Sequence, residues 1–427
     1  MMAKEDSQKA FTSIHHVIDI DWLREAFYAT RKGGAPGVDN RTWKDYEANL
    51  EENLQDLLDR AKSGRYVAPP VRRKHIPKGT STTETRPIGI PTIEDKVLQR
   101  AMVMVLEPIY EQDFYDCSYG FRPKRSAHQA LESFWQQAMD MNVSVVLEVD
   151  IRKYFDQIDH KRLREFLHLR VRDGVLLRLI GKWLNAGVME DGQVHYPKAG
   201  APQGGVVSPI LSNVFLHYVL DAWFHEEVLP RLGGRAFLIR FADDFVIGFE
   251  RERDAERVHA VLEQRLSKYG LEIHPTKTKR VPFERPRGHG KSGTHRPGTF
   301  SFLSFTHYWS RSRRGNWVIK RRTEKSRLAR CATVIDDWCR KHRHLPIQEQ
   351  HKKLSRKLQG HYAYYGITGN SISIARFRDI ATESWLKWLG RRSRKAKRSW
   401  EWFTLLKKRY PLPPARAIHS IYHVANS

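Results

Sequence analysis

Two apolar segments rich in aromatic and β-branched residues flank one short acidic turn. Residues 237–241 (FLIRF) and 245–249 (FVIGF) have the composition of strands, and only three residues (ADD) separate them. So short a connection predicts an antiparallel hairpin that carries Asp243 and Asp244 at its tip.

A third apolar run, residues 143–151 (VSVVLEVDI), is typical of a strand and contains Asp150 near its end. An Asp-Asp pair at a hairpin tip is by itself most often only a turn, because aspartate tolerates turn conformations well. Three carboxylates gathered in a basic protein, however, repel one another unless a hard cation neutralises them. Mg²⁺ takes oxygen ligands in an octahedral shell and leaves positions for phosphate and water. The combination of Asp150, Asp243 and Asp244 therefore predicts a magnesium site.

Two such ions about 3.5–4 Å apart stabilise both the attacking and the leaving oxygen of an in-line phosphoryl displacement. One ion activates a 3′-hydroxyl as the nucleophile, and the other holds a triphosphate and relieves the charge on the departing pyrophosphate. Nucleotidyl transfer with two Mg²⁺ ions, or with Mn²⁺ as a substitute, is the reaction class that fits these carboxylates.

Positive charge is concentrated in the last third of the chain. The 427 residues include 74 Lys and Arg against 48 Asp and Glu, a formal net charge of +26. Residues 301–427 hold 29 of the basic residues and 7 of the acidic ones, which leaves residues 1–300 nearly balanced at 45 against 41. Because Trp and Tyr are interspersed among the cations, this distribution favours a nucleic-acid partner over an anionic membrane. A charged face that only keeps the chain in solution is the alternative.

Cysteine usage and hydropathy limit the class of protein further. Cys117, Cys331 and Cys339 form no CxxC pair, which excludes a disulfide framework and a Cys-rich zinc module and suits a reducing cytoplasm. No apolar run approaches about 18 residues, and Met1–Ala10 has no apolar core. We therefore expect a cytoplasmic protein with neither a membrane span nor a signal peptide.

Seven blocks that occur in a fixed order make the chain similar to a known family. They are RPIGIP (86–91) leading into DKVLQ (95–99), YGFRP (119–123), DIRKYFD (150–156), APQGGVVSP (201–209), FADD (241–244), LEIHPTKTK (271–279) and FLSF (302–305). In this order they resemble the group II intron-encoded reverse transcriptases, or maturases, of bacteria. Residues 358–366 (LQGHYAYYG) and 385–389 (WLKWL) resemble the maturase, or thumb, domain of the same family.

The resemblance implies an α+β fold of the right-hand polymerase type. An antiparallel palm sheet would carry the carboxylates, with mostly helical fingers and a basic helical thumb. Residues 1–85 would form an N-terminal extension and the start of the fingers, and residues 86–310 the reverse transcriptase fingers and palm. Residues 311–427 would form the basic thumb, with or without a short DNA-binding end.

The resemblance also implies roles for the acidic residues and for one lysine. Asp150, Asp243 and Asp244 correspond to the catalytic, metal-binding carboxylates, and the Ile151 carbonyl corresponds to a further metal ligand. Lys277 matches the basic residue of a later palm motif, where it would protonate pyrophosphate as a general acid. A surface lysine that faces phosphate fits the same position.

Four further positions match residues that hold the incoming nucleotide. Lys78 and Arg86 correspond to the fingers residues that grip the triphosphate, and Gln203 of the Pro-Gln-Gly turn would contact the nucleotide. Phe155 matches an aromatic gate whose ring would clash with a ribose 2′-hydroxyl and so favour dNTPs; a core aromatic at a strand end is the alternative. Phe241 replaces the tyrosine that is usual in the family, which removes a hydroxyl but no metal ligand.

A run of cations lies between Trp388 and Trp400 in the basic tail. Its members are Arg391, Arg392, Arg394, Lys395, Lys397 and Arg398. We expect this run to neutralise nucleic-acid phosphates with an affinity that depends strongly on salt.

The resemblance implies an RNA-directed DNA polymerase that binds a structured group II intron RNA, assists its splicing and copies it into DNA. Its partners would be the intron RNA, an RNA template with a DNA primer, target DNA and dNTPs, in the bacterial cytoplasm or nucleoid. We expect no HNH endonuclease domain, so a nick or a replication fork would supply the primer for integration. Two alternatives stay open: a free-standing relative that serves DNA repair or phage defence, and an RNA-binding splicing factor that no longer polymerises.

Overall fold

The computed structural model describes residues 9–77, 85–190, 192–196, 199–200, 204–286, 297–392 and 400–419. Its helices, in chain order, are α1 (Ile20–Tyr28), α2 (Trp43–Glu47), α3 (Leu50–Ser63), α4 (Ile93–Tyr110), α5 (Ala127–Met141), α6 (Tyr154–Gln157), α7 (His160–Arg170), α8 (Gly174–Leu184), α9 (Ser208–Leu216), α10 (Glu252–Lys268), α11 (Lys325–His342), α12 (Ile347–Tyr365), α13 (Ser371–Leu389) and α14 (Trp400–Arg409). Its strands are β1 (Val71–Pro77), β2 (Thr85–Ile90), β3 (Val145–Asp150), β4 (Val188–Glu190), β5 (Gln193–His195), β6 (Ala236–Phe241), β7 (Asp244–Phe249), β8 (Lys279–Pro282), β9 (Phe300–Phe302), β10 (Phe305–Arg311) and β11 (Trp317–Thr323). The chain divides into two compact units, Met1–Ala130 with Leu147–Arg280 and Leu131–Val146 with Val281–Ser427.

The acidic turn joins two strands of a four-stranded sheet with the order β6-β7-β3-β8. Strands β6 and β7 are antiparallel, with Phe241 opposite Asp244, so the hairpin predicted from the sequence is confirmed. Most residues of β3 and β7 are buried, because these apolar strands have both faces covered. The strand order places β3 next to β7, the strand that begins at the acidic turn.

A second sheet of the first unit has the order β2-β1-β4-β5. Strands β1 and β2 are antiparallel, with Ile76 opposite Arg86, and β1 pairs in parallel with β4. The sequence of residues 69–78 indicates a basic strand, and residues 71–77 form β1. Mixed helices and largely antiparallel sheets confirm the predicted α+β class.

Helical periodicity predicts one helical segment over residues 160–184, but the structure divides it into α7 and α8. The chain breaks at Asp173, whose side chain accepts hydrogen bonds from the N–H groups of Val175 and Leu176 at the start of α8. Its second oxygen accepts from the N–H groups of Ile14 and His15 and contacts the His15 ring. One buried carboxylate thus caps a helix and fastens the N-terminal segment to it.

The second unit combines a small antiparallel sheet, β11-β10-β9, with a helical bundle. The sequence predicts helices beyond residue 311, yet the first helix begins at Lys325 because β11 comes first. Ile319, Arg321 and Thr323 are buried at alternate positions of β11, and the buried arginine conceals the strand periodicity from a hydropathy pattern. The bundle core is formed by apolar side chains of α11 to α14, including Leu354, Leu358, Phe377, Trp385 and Phe403.

Among the helices of the described residues, none combines the length and the hydropathy that a membrane span requires.

The Asp173 cap predicts a pH-dependent contribution to stability. Burial favours its neutral form, but hydrogen bonds from His15 and from backbone N–H groups outweigh burial, and the net pKa of Asp173 is lowered. A lowered folded-state pKa means that the stabilisation is fully present above the unfolded pKa near 3.9 and is lost as the pH falls through the folded value. We expect Asp173→Asn to lower the free energy of unfolding by about 1–3 kcal/mol at pH 6, because its amide NH₂ faces N–H donors.

Urea denaturation at pH 6 and at pH 3 measures this effect, with Asp19→Asn as the matched control. Asp19 is an exposed cap of α1 with a hydrogen bond to the Trp22 N–H. A difference between wild type and Asp173→Asn that fails to shrink at the lower pH would contradict the assignment.

Candidate active site

The acidic hairpin presents its two aspartates differently. Ala242 and Asp243 form the turn between β6 and β7, and Ala242 adopts the left-handed region with a φ of 56°. Asp243 is half-buried, whereas Asp244 begins β7 and is exposed. The turn residue Asp243 and the strand residue Asp244 therefore differ in how far their carboxylates are exposed.

Asp150 lies at the end of β3 and is held by the segment that follows α10. Its backbone carbonyl accepts a hydrogen bond from the His274 N–H at 2.8 Å. Its carboxylate forms an ion pair with the Lys277 ammonium at 2.8 Å, and the two side chains are 31% and 50% exposed. Lys277, predicted from the sequence as a site residue, is therefore in direct contact with Asp150.

Ile151 continues this arrangement through an isolated antiparallel bridge to Ile273. The two bridging hydrogen bonds use the Arg152 N–H and the Asp150 carbonyl. The bridge therefore does not use the Ile151 carbonyl, which was predicted as a metal ligand.

Asp150 and Asp243 interact electrostatically. Burial is the main cause that raises the pKa of Asp243 above its usual value, and the negative charge of Asp150 raises it further. Arg86 and Arg240 act in the opposite direction. Asp150 at the end of β3 and Arg86 on β2 thus both act electrostatically on Asp243 in the hairpin turn.

The described residues contain no group of three or more His, Cys, Asp or Glu side chains placed to hold a metal ion. The predicted gathering of three carboxylates is thus not present as a closed cage: Asp150 is engaged by Lys277, and Asp244 is exposed. The donor set itself consists of carboxylate and carbonyl oxygens, which suits Mg²⁺ or Mn²⁺ rather than a soft metal. The residues fit the implied metal in chemistry, and their roles as ligands stay a prediction.

Gly204 lies against β2, the strand that carries Arg86. It has a φ of 112°, and a Cβ there would clash with the carbonyl oxygen of Gly89. The Gln99 side chain accepts hydrogen bonds from the N–H groups of Val206 and Val207, at 2.8 and 3.3 Å. Gln203 and Lys78 lie outside the described residues, so their predicted contacts stay predictions.

Phe155 lies in the short helix α6, directly after the strand that ends at Asp150. The neighbouring Tyr154 is buried, and its hydroxyl donates to the Ser212 carbonyl at 2.9 Å. Phe155 itself is half-buried. A Cβ at Gly200 would lie 2.9 Å from the Phe155 carbonyl oxygen, so Gly200 lies close to this helix. A fixed backbone with a partly exposed ring is compatible with the predicted gate.

A buried arginine, which sequence reasoning missed, fixes the acidic hairpin. Arg240 is 0% exposed and forms a two-pronged ion pair with Asp221, with N···O distances of 2.8 and 2.5 Å. Its remaining nitrogen donates to the carbonyl of Ala242 and to the Asn213 side chain, each at 3.0 Å. Asn213 in turn donates to the Gly120 carbonyl at 2.7 Å, and a Cβ at Gly120 would clash with the Ala242 N–H group. The only sequence signal was a cation inside an apolar strand.

Asp221 reaches this arginine from an unusual helix. Helix α9 continues as two π-helical segments, His217–Asp221 and Trp223–Val228, where the sequence predicts an ordinary helix to Trp223. π-Helical turns are rare and occur frequently at functional sites. Hydropathy carries no signal for them, because the backbone hydrogen-bond pattern changes without a change in apolar periodicity.

Two members of the predicted cation run, Arg391 and Arg392, are described by the structure. The Arg391 guanidinium lies 5.2 Å from the centre of the Trp388 ring. Arg392 donates to the carbonyls of His344 and Leu345, both at 2.8 Å, which is a structural role. Arg394, Lys395, Lys397 and Arg398 lie outside the described residues.

We expect the contributions of Arg240 and Asp221 to the free energy of unfolding to depend strongly on each other, because the two side chains form a buried ion pair. Arg240→Met or Asp221→Leu leaves one buried charge unpaired, and we expect each change to cost about 3–5 kcal/mol of unfolding free energy. The double variant removes both charges, so its cost should be well below the sum of the two. Chemical denaturation of the four proteins tests this expectation, and additive costs would show that the pair is not coupled.

Comparison with known proteins assigns the chain to a family. Residues 76–307 match the family described as reverse transcriptase (RNA-dependent DNA polymerase). Protein YkfC of Escherichia coli (strain K12) is 40% identical over 215 residues, 49% of this chain and 56% of that protein. Group II intron-encoded protein LtrA of Lactococcus lactis subsp. cremoris is 36% identical over 219 residues, 50% of this chain and 36% of LtrA. The protein named "Nuclear intron maturase 2, mitochondrial" of Arabidopsis thaliana is 25% identical over 257 residues, 51% of this chain and 32% of that protein.

These alignments span just over half of YkfC and about a third of the other two relatives. The family match covers more than half of this chain and includes Asp150 and the acidic hairpin. The resemblance to group II intron-encoded proteins is thereby confirmed, and the chain belongs to the reverse transcriptase (RNA-dependent DNA polymerase) family.

Proposed function

We propose that this chain is an RNA-directed DNA polymerase that binds a structured group II intron RNA, assists its splicing and copies it into DNA. The observation that carries the proposal is the electrostatic coupling of Asp150 and Asp243 beside Arg86. Two acidic groups and a cation that interact electrostatically support nucleotidyl transfer, because that reaction needs carboxylates and a phosphate-binding cation close together.

Asp150, Asp243 and Asp244, with the Ile151 carbonyl, would hold two Mg²⁺ ions. When bound, the ions supply activation of the primer 3′-hydroxyl and stabilisation of the leaving pyrophosphate. The burial and the like charge that raise the pKa of Asp243 are both relieved by a neighbouring cation.

Lys277 neutralises Asp150 through its ion pair. Because its side chain is half exposed on a flexible four-carbon stem, it is able to exchange the carboxylate for a phosphate oxygen. We propose that Lys277 then donates a proton to the departing pyrophosphate. Arg86 on β2, with Lys78 and Gln203, would orient the triphosphate against these groups.

The domain arrangement that accompanies this function is also a proposal. Residues 1–85 form an N-terminal extension with the start of the fingers, residues 86–310 the fingers and palm, and residues 311–427 the thumb. In this right-hand arrangement the sheet that bears Asp150 is the palm. The excess of 29 basic over 7 acidic residues in residues 301–427 supports a nucleic-acid-binding thumb.

The proposed partners follow from the relatives and from charge. YkfC gives no function in its name, whereas LtrA is named a group II intron-encoded protein and the Arabidopsis relative an intron maturase. For this chain we propose group II intron RNA, an RNA template with a DNA primer, target DNA and dNTPs. The protein would neutralise phosphates of the folded RNA, while the RNA performs the splicing chemistry. In a bacterial host these nucleic acids lie in the cytoplasm and nucleoid.

Primer extension on an RNA template tests the polymerase assignment. Loss of a metal ligand removes several kcal/mol of transition-state stabilisation, so we expect Asp243→Asn to lower the rate by about 10³-fold or more. Glu263→Gln is the matched control, because Glu263 is an exposed carboxylate on α10. Equal extension by wild type and Asp243→Asn would refute the assignment.

Discrimination between sugars tests the role of Phe155. If the ring excludes a 2′-hydroxyl, Phe155→Ala should lower the ratio of kcat/KM for dNTP over rNTP by at least about tenfold, chiefly by faster use of rNTPs. Phe155→Tyr keeps the ring and should keep the ratio. An unchanged ratio in Phe155→Ala, with normal dNTP incorporation, would assign Phe155 to the core instead.

A further inference from the structure

A groove between helices α7 and α8 of the first unit is lined by basic side chains that have no role in the proposed catalytic site. Its cavity volume is about 570 Å³, larger than a single phosphate needs. Arg164 and His168 line it from α7, one helical turn apart. Arg178 and Lys182 line it from α8 with the same spacing. Two helices therefore present parallel pairs of nitrogen-bearing side chains to one groove.

The groove is positively charged in a part of the chain that is otherwise balanced. None of the described residues that line it is a carboxylate. The nearby Glu165 is paired with Arg162, at 2.9 Å, and neither lines the groove. Residues 1–300 hold 45 basic and 41 acidic residues, so the average composition of this region does not account for the local excess.

Two of the groove cations are oriented by backbone carbonyl oxygens. The Lys182 ammonium donates to the carbonyls of Gly64, at 2.7 Å, and Tyr66. Arg178 donates to the Lys62 carbonyl at 3.2 Å. Carbonyl oxygens bear no net charge, so these contacts at the end of α3 orient the cations and leave them free to attract an anion.

One glycine of α8 lies directly beside a cation of the groove. A Cβ at Gly181 would lie 3.1 Å from a guanidinium nitrogen of Arg164. The missing side chain at Gly181 lets that guanidinium lie close against α8. Glycine inside a helix destabilises it by roughly 0.5–1 kcal/mol relative to alanine, so close approach to the helix has a compensating use here.

We propose that this groove binds the phosphodiester backbone of a nucleic acid, as a contact separate from the Asp150 and Asp243 site. The proposal rests on the proposed function, because a nucleic-acid polymerase brings long polyanions to its own surface. Cations in rows on two helices suit successive phosphates of a strand rather than one small anion. Neutralising phosphates with Lys and Arg releases counterions, so the contact has a measurable salt dependence.

The test compares Arg164→Gln/Arg178→Gln with a control of equal charge, Arg162→Gln/Arg257→Gln, in the full chain. Arg162 is exposed on the same helix and Arg257 is exposed on α10, both outside the groove. The probes are an RNA–DNA primer–template duplex alone, the same duplex with a long single-stranded RNA extension, and one with a DNA extension. Thermal melts establish that both double variants fold. The single variant Arg164→Gln is measured as well, because it keeps the hydrogen bond from Arg178 to the Lys62 carbonyl in α3.

Fluorescence anisotropy over about 50–200 mM salt gives the slope of log Kobs against log salt. Losing two phosphate contacts should make that slope less steep by about 1.4–1.8 for the extended probes and lower the affinity about tenfold. The control pair should leave the slope unchanged. An effect with both extensions identifies the backbone of either nucleic acid, and an effect with the RNA extension alone identifies an RNA strand.

Equal slopes for the groove variant and the control would overturn the proposal. Extension of the short duplex is measured in parallel. A groove variant that extends it at the wild-type rate but binds long probes weakly supports a separate contact. A wild type that binds but never extends would instead refute the proposed polymerase function, independently of the groove.

Discussion

A buried ion pair between Arg240 and Asp221 holds the hairpin on which the acidic turn lies. Both residues are fully buried, so each requires the other to compensate for its lost hydration. Arg240 also binds the Ala242 carbonyl, which fixes a left-handed turn that alanine adopts only with strain. Gly120 allows the backbone to pass beside that turn. The position of Asp243 is therefore determined by packing beneath the sheet rather than by the turn alone.

The charges around Asp243 follow from this placement. Burial and the nearby Asp150 both raise its pKa, while Arg86 and Arg240 oppose them. Lys277 forms an ion pair with Asp150. These three cations thus partly compensate the negative charge of Asp150 and Asp243. The proposed metal ions would compensate the remaining negative charge. In the groove between α7 and α8, cations of the chain would likewise compensate the phosphates of the proposed nucleic-acid strand.

Local pattern predicted the hairpin and strand β3, because short runs of aromatic and β-branched residues are typical of strands. It did not predict the π-helical segments, since apolar periodicity is the same there as in an α-helix. Strand β11 was missed because its buried Arg321 hides the alternation, and Arg240 was missed because its partner lies far away in the chain. The three-carboxylate cage is not closed here, since Lys277 engages Asp150. Contacts of Lys78, Gln203 and most of the cation run lie outside the described residues.

The binding of Mn²⁺, followed by electron paramagnetic resonance, tests most directly whether Asp150 and Asp243 share a metal site. The sample is the full chain with a primer–template and a dNTP analogue that cannot be incorporated. We predict two bound ions in the wild type and weakened binding in Asp150→Asn and in Asp243→Asn, with Glu263→Gln unchanged. Identical binding curves for all four proteins would contradict a shared site at these two aspartates.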